Sequence, residues 1–315
     1  QHYVENGFSN LPRGSFIQLE KQAKDYILRN LKQAVNNRRS LINRMKYFQR
    51  DTGLQLTLEN FTQFHGLSLY EFYGARTGNR SFYGLMVEAE FLEPFEWGNV
   101  EYLTKRIPAL LGLNSRRLLL FIMEYLEQGK QPQSEEEKLM LSMFYYTFYR
   151  SEPSKLGFNG IEQGIQAALA CSYFLNEVKE ILKINLSSID FVDRQNEFAY
   201  ACPLDIHCRY SMDQVLAAFG YWNEEKAPSF REGVKYFEDK ATDIFFITLN
   251  KSDKDFSPST QYEDYAINER LFHWQTQSRT SEDSKTAQRY IHHRKMGSRI
   301  ALFVREYKDE NNYTK

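Results

Sequence analysis

Apolar side chains change their spacing partway along this chain, and that change limits the folds open to it more than any other feature. Up to about residue 184 they recur every three or four positions, the period of a helix face; beyond it they tend to alternate, the period of a strand. Residues 16 to 50 carry the first helical stripe (Ile17, Ala23, Ile27, Leu28, Leu31, Ala34, Val35, Leu41, Ile42, Met45, Phe48), unbroken until Gly53. Thr57 and Ser68 stand just before short apolar runs as N-caps, and Ser134 with Glu137 has the spacing of a capping box. GIEQGIQAALACSYFLNEVKEILKI closes the helical series. Residues 188 to 202 then read as a strand pair around a polar turn, SMDQVLAAFGYW as a helix capped by Ser211, and GVKYFEDKATDIFFITLNK as two strands turning at Asp239 and Lys240. A strand RLFHWQTQS, a helix from Lys285 to Met296 and a strand SRIALFVREY follow. The fold class predicted is α+β: an N-terminal all-helical array, residues 1–155, then a C-terminal α+β domain, residues 156–315, around a curved or barrel-like sheet.

Composition matters here for what it excludes. Hydrophobic residues make up 42% of 315, enough to fill two modest cores, so disordered and collagen-like chains are ruled out. Three unevenly spaced cysteines suit a reducing compartment better than a disulfide scaffold. No run of 18 apolar residues occurs and the first thirty residues are polar, which predicts neither a membrane span nor a signal peptide. The expected location is cytoplasmic.

Lys+Arg total 40 against 41 Asp+Glu, yet the charge is unevenly spread. Residues 1 to 50 hold ten basic side chains and three acidic ones, and residues 285 to 305 carry Lys285, Arg289, Arg294, Lys295, Arg299 and Arg305 with no acid. Such segregation can build a local anion-binding face, although a solvated helix face accounts for each stretch taken alone. Around the second stretch gather Arg209, Tyr210, Arg231, His273, Trp274, Gln275, Gln277, Arg289, His292, His293 and Arg294. Aromatic faces stack on bases, amides and guanidinium groups bond base edges, and cations neutralise phosphates, so the mixture suits nucleic acid. The plainer reading places Trp274 in the core and His273 and Gln275, on the opposite strand face, in water.

Common enzyme signatures are missing. There is no G-x-x-x-x-G-K-[ST], no G-x-S-x-G, no H-E-x-x-H and no C-x-x-C. Cys202, His207 and Cys208 are the nearest thing to a zinc cluster, but free cysteines more often pack as small hydrophobes. Asp243 and Lys251 bracket a strand as in metal-dependent nucleases, except that Leu249 stands where the second acid is needed. No catalytic residue, cofactor or metal is expected.

The blocks H-x-R-Y-S, T-L-N-K, D-Y-A-I, L-F-H-W-Q and M-G-S-R-I-x-L-F-V-R, within residues 202 to 306, resemble the C-terminal domain of unknown function of bacterial superfamily II DEAD/DEAH-type helicases. Those proteins often carry a phospholipase-D-type nuclease head. NLPRGSFIQLEKQAKDYILRNL resembles the exit from their second RecA-like lobe into a helical connector. The resemblance implies a motor and nuclease upstream in the same polypeptide, DNA as partner, and a role in restriction or defence against foreign DNA. It also implies a further strand or two past Lys315, in whose absence a bare sheet edge would promote self-association. Arg209, Tyr210, Arg231, His273, Gln275, Arg289, His292, His293 and Arg294 are the candidate DNA-binding residues. The competing reading is a protein-interaction scaffold that docks the motor or forms an oligomer, suggested by the run Phe144, Tyr145, Tyr146, Phe148, Tyr149.

Overall fold

The computed structural model describes residues 37–74, 81–95, 100–250, 264–268, 271–276, 280–308, 310 and 312–315. The helix expected before Asn37 lies outside these residues, as do Lys251 and Gln277. The chain divides into two compact units, Gln1–Leu111 with Ala170–Ile184, and Gly112–Leu169 with Asn185–Lys315. The boundary expected at 155 falls inside the second.

In the first unit the described elements are helices. Helix α1 (Arg38–Thr52) is capped by the Asn37 side chain and ends at Gly53, whose φ of 70° closes the last turn in the left-handed region. It buries Leu41, Met45 and Phe48, one helix face. Thr57, Ser68 and Ser81 cap α2 (Leu58–Phe64), α3 (Leu69–Tyr73) and α4 (Phe82–Glu88), and α5 (Val100–Thr104) follows. Phe61 has the rings of Phe48, Phe72 and Phe82 within 6.4 Å, and these rings form the middle of the core.

A carboxyl group is embedded in this core. Glu177, fully buried on α9 (Ser172–Ser187), accepts hydrogen bonds from Tyr73 Oη at 2.8 Å, the Phe82 N–H at 2.7 Å, the Tyr83 N–H at 3.4 Å and Ser81 Oγ. Burial pushes its pKa up to about 7, and the four donors pull the other way without prevailing.

The second unit begins with α6 (Arg116–Gln128), α7 (Glu135–Phe148) and α8 (Ile161–Ala168). Ser134 Oγ accepts from the Glu137 N–H, while the Glu137 carboxylate accepts from the Gln133 N–H. From Met140 to Phe148 every residue of α7 is buried, so the aromatic run that suggested an interface is core. Helix α8 approaches closely because residue 164 is glycine: a Cβ there would lie 2.3 Å from the Tyr145 ring.

A five-stranded sheet supports the rest, in the order β1 (Arg209–Ser211), β7 (Asn312–Thr314), β6 (Arg299–Tyr307), β3 (Thr242–Asn250), β2 (Val234–Phe237). β3 and β6 are parallel; the other pairs are antiparallel. A parallel pair needs a crossover, and this one contains the hairpin β4 (Tyr265–Asn268) with β5 (Leu271–His273) and helix α11 (Lys285–Ile291). On one face Phe219, just past α10 (Met212–Ala218), packs on Phe237 and Phe303. On the other, Trp274 stacks on Phe245 at 4.2 Å and Tyr290 of α11 meets the same ring edge-on.

The mixed α and β architecture with an N-terminal helical region is the one expected. Three details differ. The sheet ends at β1 and β2 and is not closed into a barrel. Residues 188 to 202 form no strand pair; they are irregular, with one bridge from Arg194 to Ile206, because Asp193 bonds the first turn of α6 and Asn196 bonds the carbonyls of Cys202 and Leu204 in its own segment. The helix expected to reach Met296 stops at Ile291, after which residues 292 to 297 turn tightly and Gly297, at φ 67°, leads into β6. Among the described residues no helix is long and apolar enough to cross a membrane.

Candidate nucleic-acid interface

The cationic stretch after residue 285 is divided by what its side chains meet. Arg289, on the inner face of α11, forms a two-pronged ion pair with Asp243 of β3, with Nε to Oδ2 at 2.7 Å and Nη2 to Oδ1 at 2.9 Å. Asp243 is 1% exposed and the Arg289 side chain 16%. The guanidinium lies 3.7 Å from the Tyr236 ring centre, and the Asp243 hydrogen bond raises its pKa further. This pair fastens α11 to the sheet. It also occupies the carboxylate that the nuclease comparison needed for a metal.

The remaining candidates are scattered. Tyr210 is fully buried, its hydroxyl accepting the Asp205 N–H at 2.8 Å, so its ring offers no face to a base. Arg209 is exposed at the start of β1, and Arg231 is exposed in the segment before β2. His273 stacks on Tyr265 within the hairpin, and Gln275 is exposed with its N–H on Asp264. His292, Arg294 and Lys295 are exposed in the turn after α11, with His293 half-buried among them.

His293 and Arg294 do enter a common recess. It is a groove of about 470 Å³ walled by the first residues of β6, by the irregular segment 194–198 and by Lys315. Among the described residues the ladder register of β7 with β6 is Val304 with Thr314, so β6 runs back to Arg299 beyond its pairing with β7, and the groove opens along that stretch. Its cations are Arg194, Arg294, Arg299 and Lys315, against a single carboxylate, Glu197, which pairs with Arg194 at 2.7 Å. Arg299 Nη1 donates to the Glu197 carbonyl at 2.6 Å, and Lys315 Nζ donates to the Leu204 carbonyl at 2.6 Å. The centre of the Phe198 ring is 5.7 Å from the Arg299 guanidinium and 4.6 Å from the Lys315 ammonium. Burial lowers the pKa of Lys315. His293 Nδ1 lies 2.9 Å from the Tyr290 carbonyl; a carbonyl only accepts, which assigns the proton to Nδ1 and leaves Nε2 for another partner.

Of these residues Arg299 belongs to the acid-free stretch 285 to 305 and was visible there as charge. Arg194 and Lys315 have no local signal; only the fold brings them to the same recess.

A second cluster has metal-binding residue types. One ligand atom each from Asp193, Asp205 and Cys208 fall within 4.8 Å of one another. Asp193 accepts from Arg116 at 2.7 Å, and Asp205 accepts from Arg117 at 2.8 Å and Ser115 at 2.9 Å. Burial, reinforced by both carboxylates, pushes the Cys208 thiol up to about 12, which keeps it protonated. The cluster is an ion-pair network tying α6 to the segment before β1. Cys202 is also buried, and that burial raises its pKa.

Residues 204–314 match the model of a family described as Domain of unknown function (DUF3427), a span that runs from the irregular segment before β1 through β7 and includes the β6 wall of the groove. No curated protein and no solved structure matches the chain.

Proposed function

We propose that this chain is a non-catalytic accessory region that binds DNA through the β6 groove, as part of a helicase whose motor and nuclease lie elsewhere in the same polypeptide. The observation that carries the binding half is the convergence of Arg194, Arg294, Arg299, Lys315 and His293 on one recess that holds a single carboxylate. A cluster of that sign in a concave site focuses potential on an anion. The helicase half rests on the resemblance of residues 202 to 306, which also supports a role in restriction or defence against foreign DNA.

Binding through phosphates is tested by its salt dependence. With Arg194 held by Glu197, about three cations remain to displace counterions, and a single strand at a slope of about −0.7 per contact then loses about 20-fold in affinity between about 50 and 200 mM salt. Fluorescence polarisation of labelled DNA with the full chain measures it. Affinity unchanged over that range, or no binding at all, defeats the reading.

One observation favours the scaffold reading. Tyr265, Ile267 and Leu271 on the β4–β5 hairpin are each at least half exposed, an apolar group that a protein partner could cover. Light scattering on the purified chain separates the two: a DNA-binding module stays monomeric across concentration, whereas a hairpin that pairs copies gives a concentration-dependent dimer.

A further inference from the structure

We infer that the β6 groove takes the sugar–phosphate backbone of a single strand, without preference for its bases and with less affinity for duplex. This rests on the groove being the DNA site proposed above, and it specifies the form of the ligand.

The first argument is depth. Of the residues that line the groove, Arg194, Arg294 and Arg299 are exposed, whereas His293, Phe198 and Lys315 are half-buried. A duplex is stiff over about 150 base pairs and presents its phosphates on a convex rod, which meets the exposed residues and leaves the half-buried ones unused. A single strand bends at each nucleotide and can lower a phosphate onto the Lys315 ammonium. Nζ has three hydrogens and gives one to the Leu204 carbonyl, so donors remain for an oxyanion.

The second argument concerns bases. Single-strand proteins gain much of their affinity by stacking bases on open aromatic faces. Among the described residues Phe198 is the one aromatic ring that lines the groove, and the rings on the α11 side of the sheet are packed. Phe198 has cations near it on Arg299 and Lys315 and stacks on Tyr200, Trp274 stacks on Phe245, and Tyr236 carries the Arg289 guanidinium. What the recess offers is charge and hydrogen-bond donors, which read phosphate and not sequence.

The test uses the full chain with oligo(dT), oligo(dA) and a duplex of equal length, at about 0.1 M salt, comparing wild type with Lys315→Gln and the exposed-residue variant Arg294→Gln. The expected result is that the two single strands bind within about threefold of each other and at least about tenfold more tightly than duplex; Lys315→Gln then weakens the single strands about fivefold, one phosphate contact, and leaves duplex unchanged. Arg294→Gln weakens both forms by a similar factor, and because its side chain is exposed it tests the groove even if Lys315→Gln fails to fold. Duplex binding as tightly as single strand, a difference of about tenfold or more between oligo(dT) and oligo(dA), or a Lys315→Gln loss shared equally by duplex overturns this inference and leaves DNA binding standing. Absence of binding to every probe overturns the proposed function and this inference with it.

Discussion

Glu177 makes the first unit's stability depend on pH in a direction opposite to that of an ordinary paired carboxylate. Its folded pKa of about 7 lies above the unfolded value near 4.5. Below about pH 4.5 both states carry the proton. Between about 4.5 and 7 the unfolded chain gives it up while the folded one keeps it, so unfolding releases a proton and stability falls as pH rises. The interval of about 2.5 pH units corresponds to about 3 kcal/mol, fully present at acid pH and lost once pH passes about 7. The group is fully buried, so solvent screening does not reduce this figure. Glu177→Gln removes the titration while keeping the shape: the amide oxygen in the place of Oε1 still accepts from Tyr73 Oη and the Phe82 N–H, and the NH₂ in the place of Oε2 can donate to Ser81 Oγ, which reverses its role, at the loss of the long Tyr83 N–H contact. Urea unfolding followed by far-ultraviolet circular dichroism gives the stability difference between wild type and Glu177→Gln across pH. The two proteins should differ little at about pH 4.5, and the variant should gain up to about 3 kcal/mol relative to wild type by about pH 8. A difference that stays constant with pH, or one that runs the other way, refutes the reasoning, because other carboxylates cancel in the comparison.

Two further outcomes follow from the second unit. Arg289→Ala strands the buried Asp243 and should destabilise the fold by about 3–5 kcal/mol in thermal or urea unfolding; wild-type stability with weakened DNA binding would instead make Arg289 a DNA contact. Among the cysteines, Cys202 and Cys208 are buried with raised pKa values and Cys171 is partly exposed, so a thiol reagent at neutral pH should modify Cys171 rapidly and the other two only after denaturation. Fast modification of Cys208 in the native protein would contradict its placement.

How much was legible in the sequence depends on how far apart the cooperating residues lie. Caps are local: Thr57, Ser68, Ser134 and Ser211 need only the next three residues, and each caps the helix expected of it. β3 and the β2–β3 hairpin were legible because alternation and turn chemistry act over a few positions. Residues 188 to 202 were misread because apolar residues alternate there by chance, while Asp193 bonds α6, 77 positions away in the chain, and Asn196 folds the segment back on the Cys202 carbonyl. The reach of α11 was overestimated because no glycine or proline interrupts the sequence between Ile291 and Gly297, whereas the chain must turn to start β6 beside β3.

The candidate site shows the same limit more sharply. From the sequence, Arg289 and Arg294 are equivalent: both are basic, and both lie in a stretch without an acid. Their difference is set by Asp243, which sits 46 positions before Arg289 and is brought against α11 only by the parallel pairing of β3 with β6. One arginine is therefore spent on holding the helix whose following turn bears the other. Charge counted along a chain measures how many cations are available, and it cannot measure how many the fold has already neutralised. In the proposed reading the second quantity decides where a polyanion can bind: the ion pair takes Arg289 out of the candidate surface, and Arg194 and Lys315 join His293 and Arg294 in a groove that no single stretch of sequence describes.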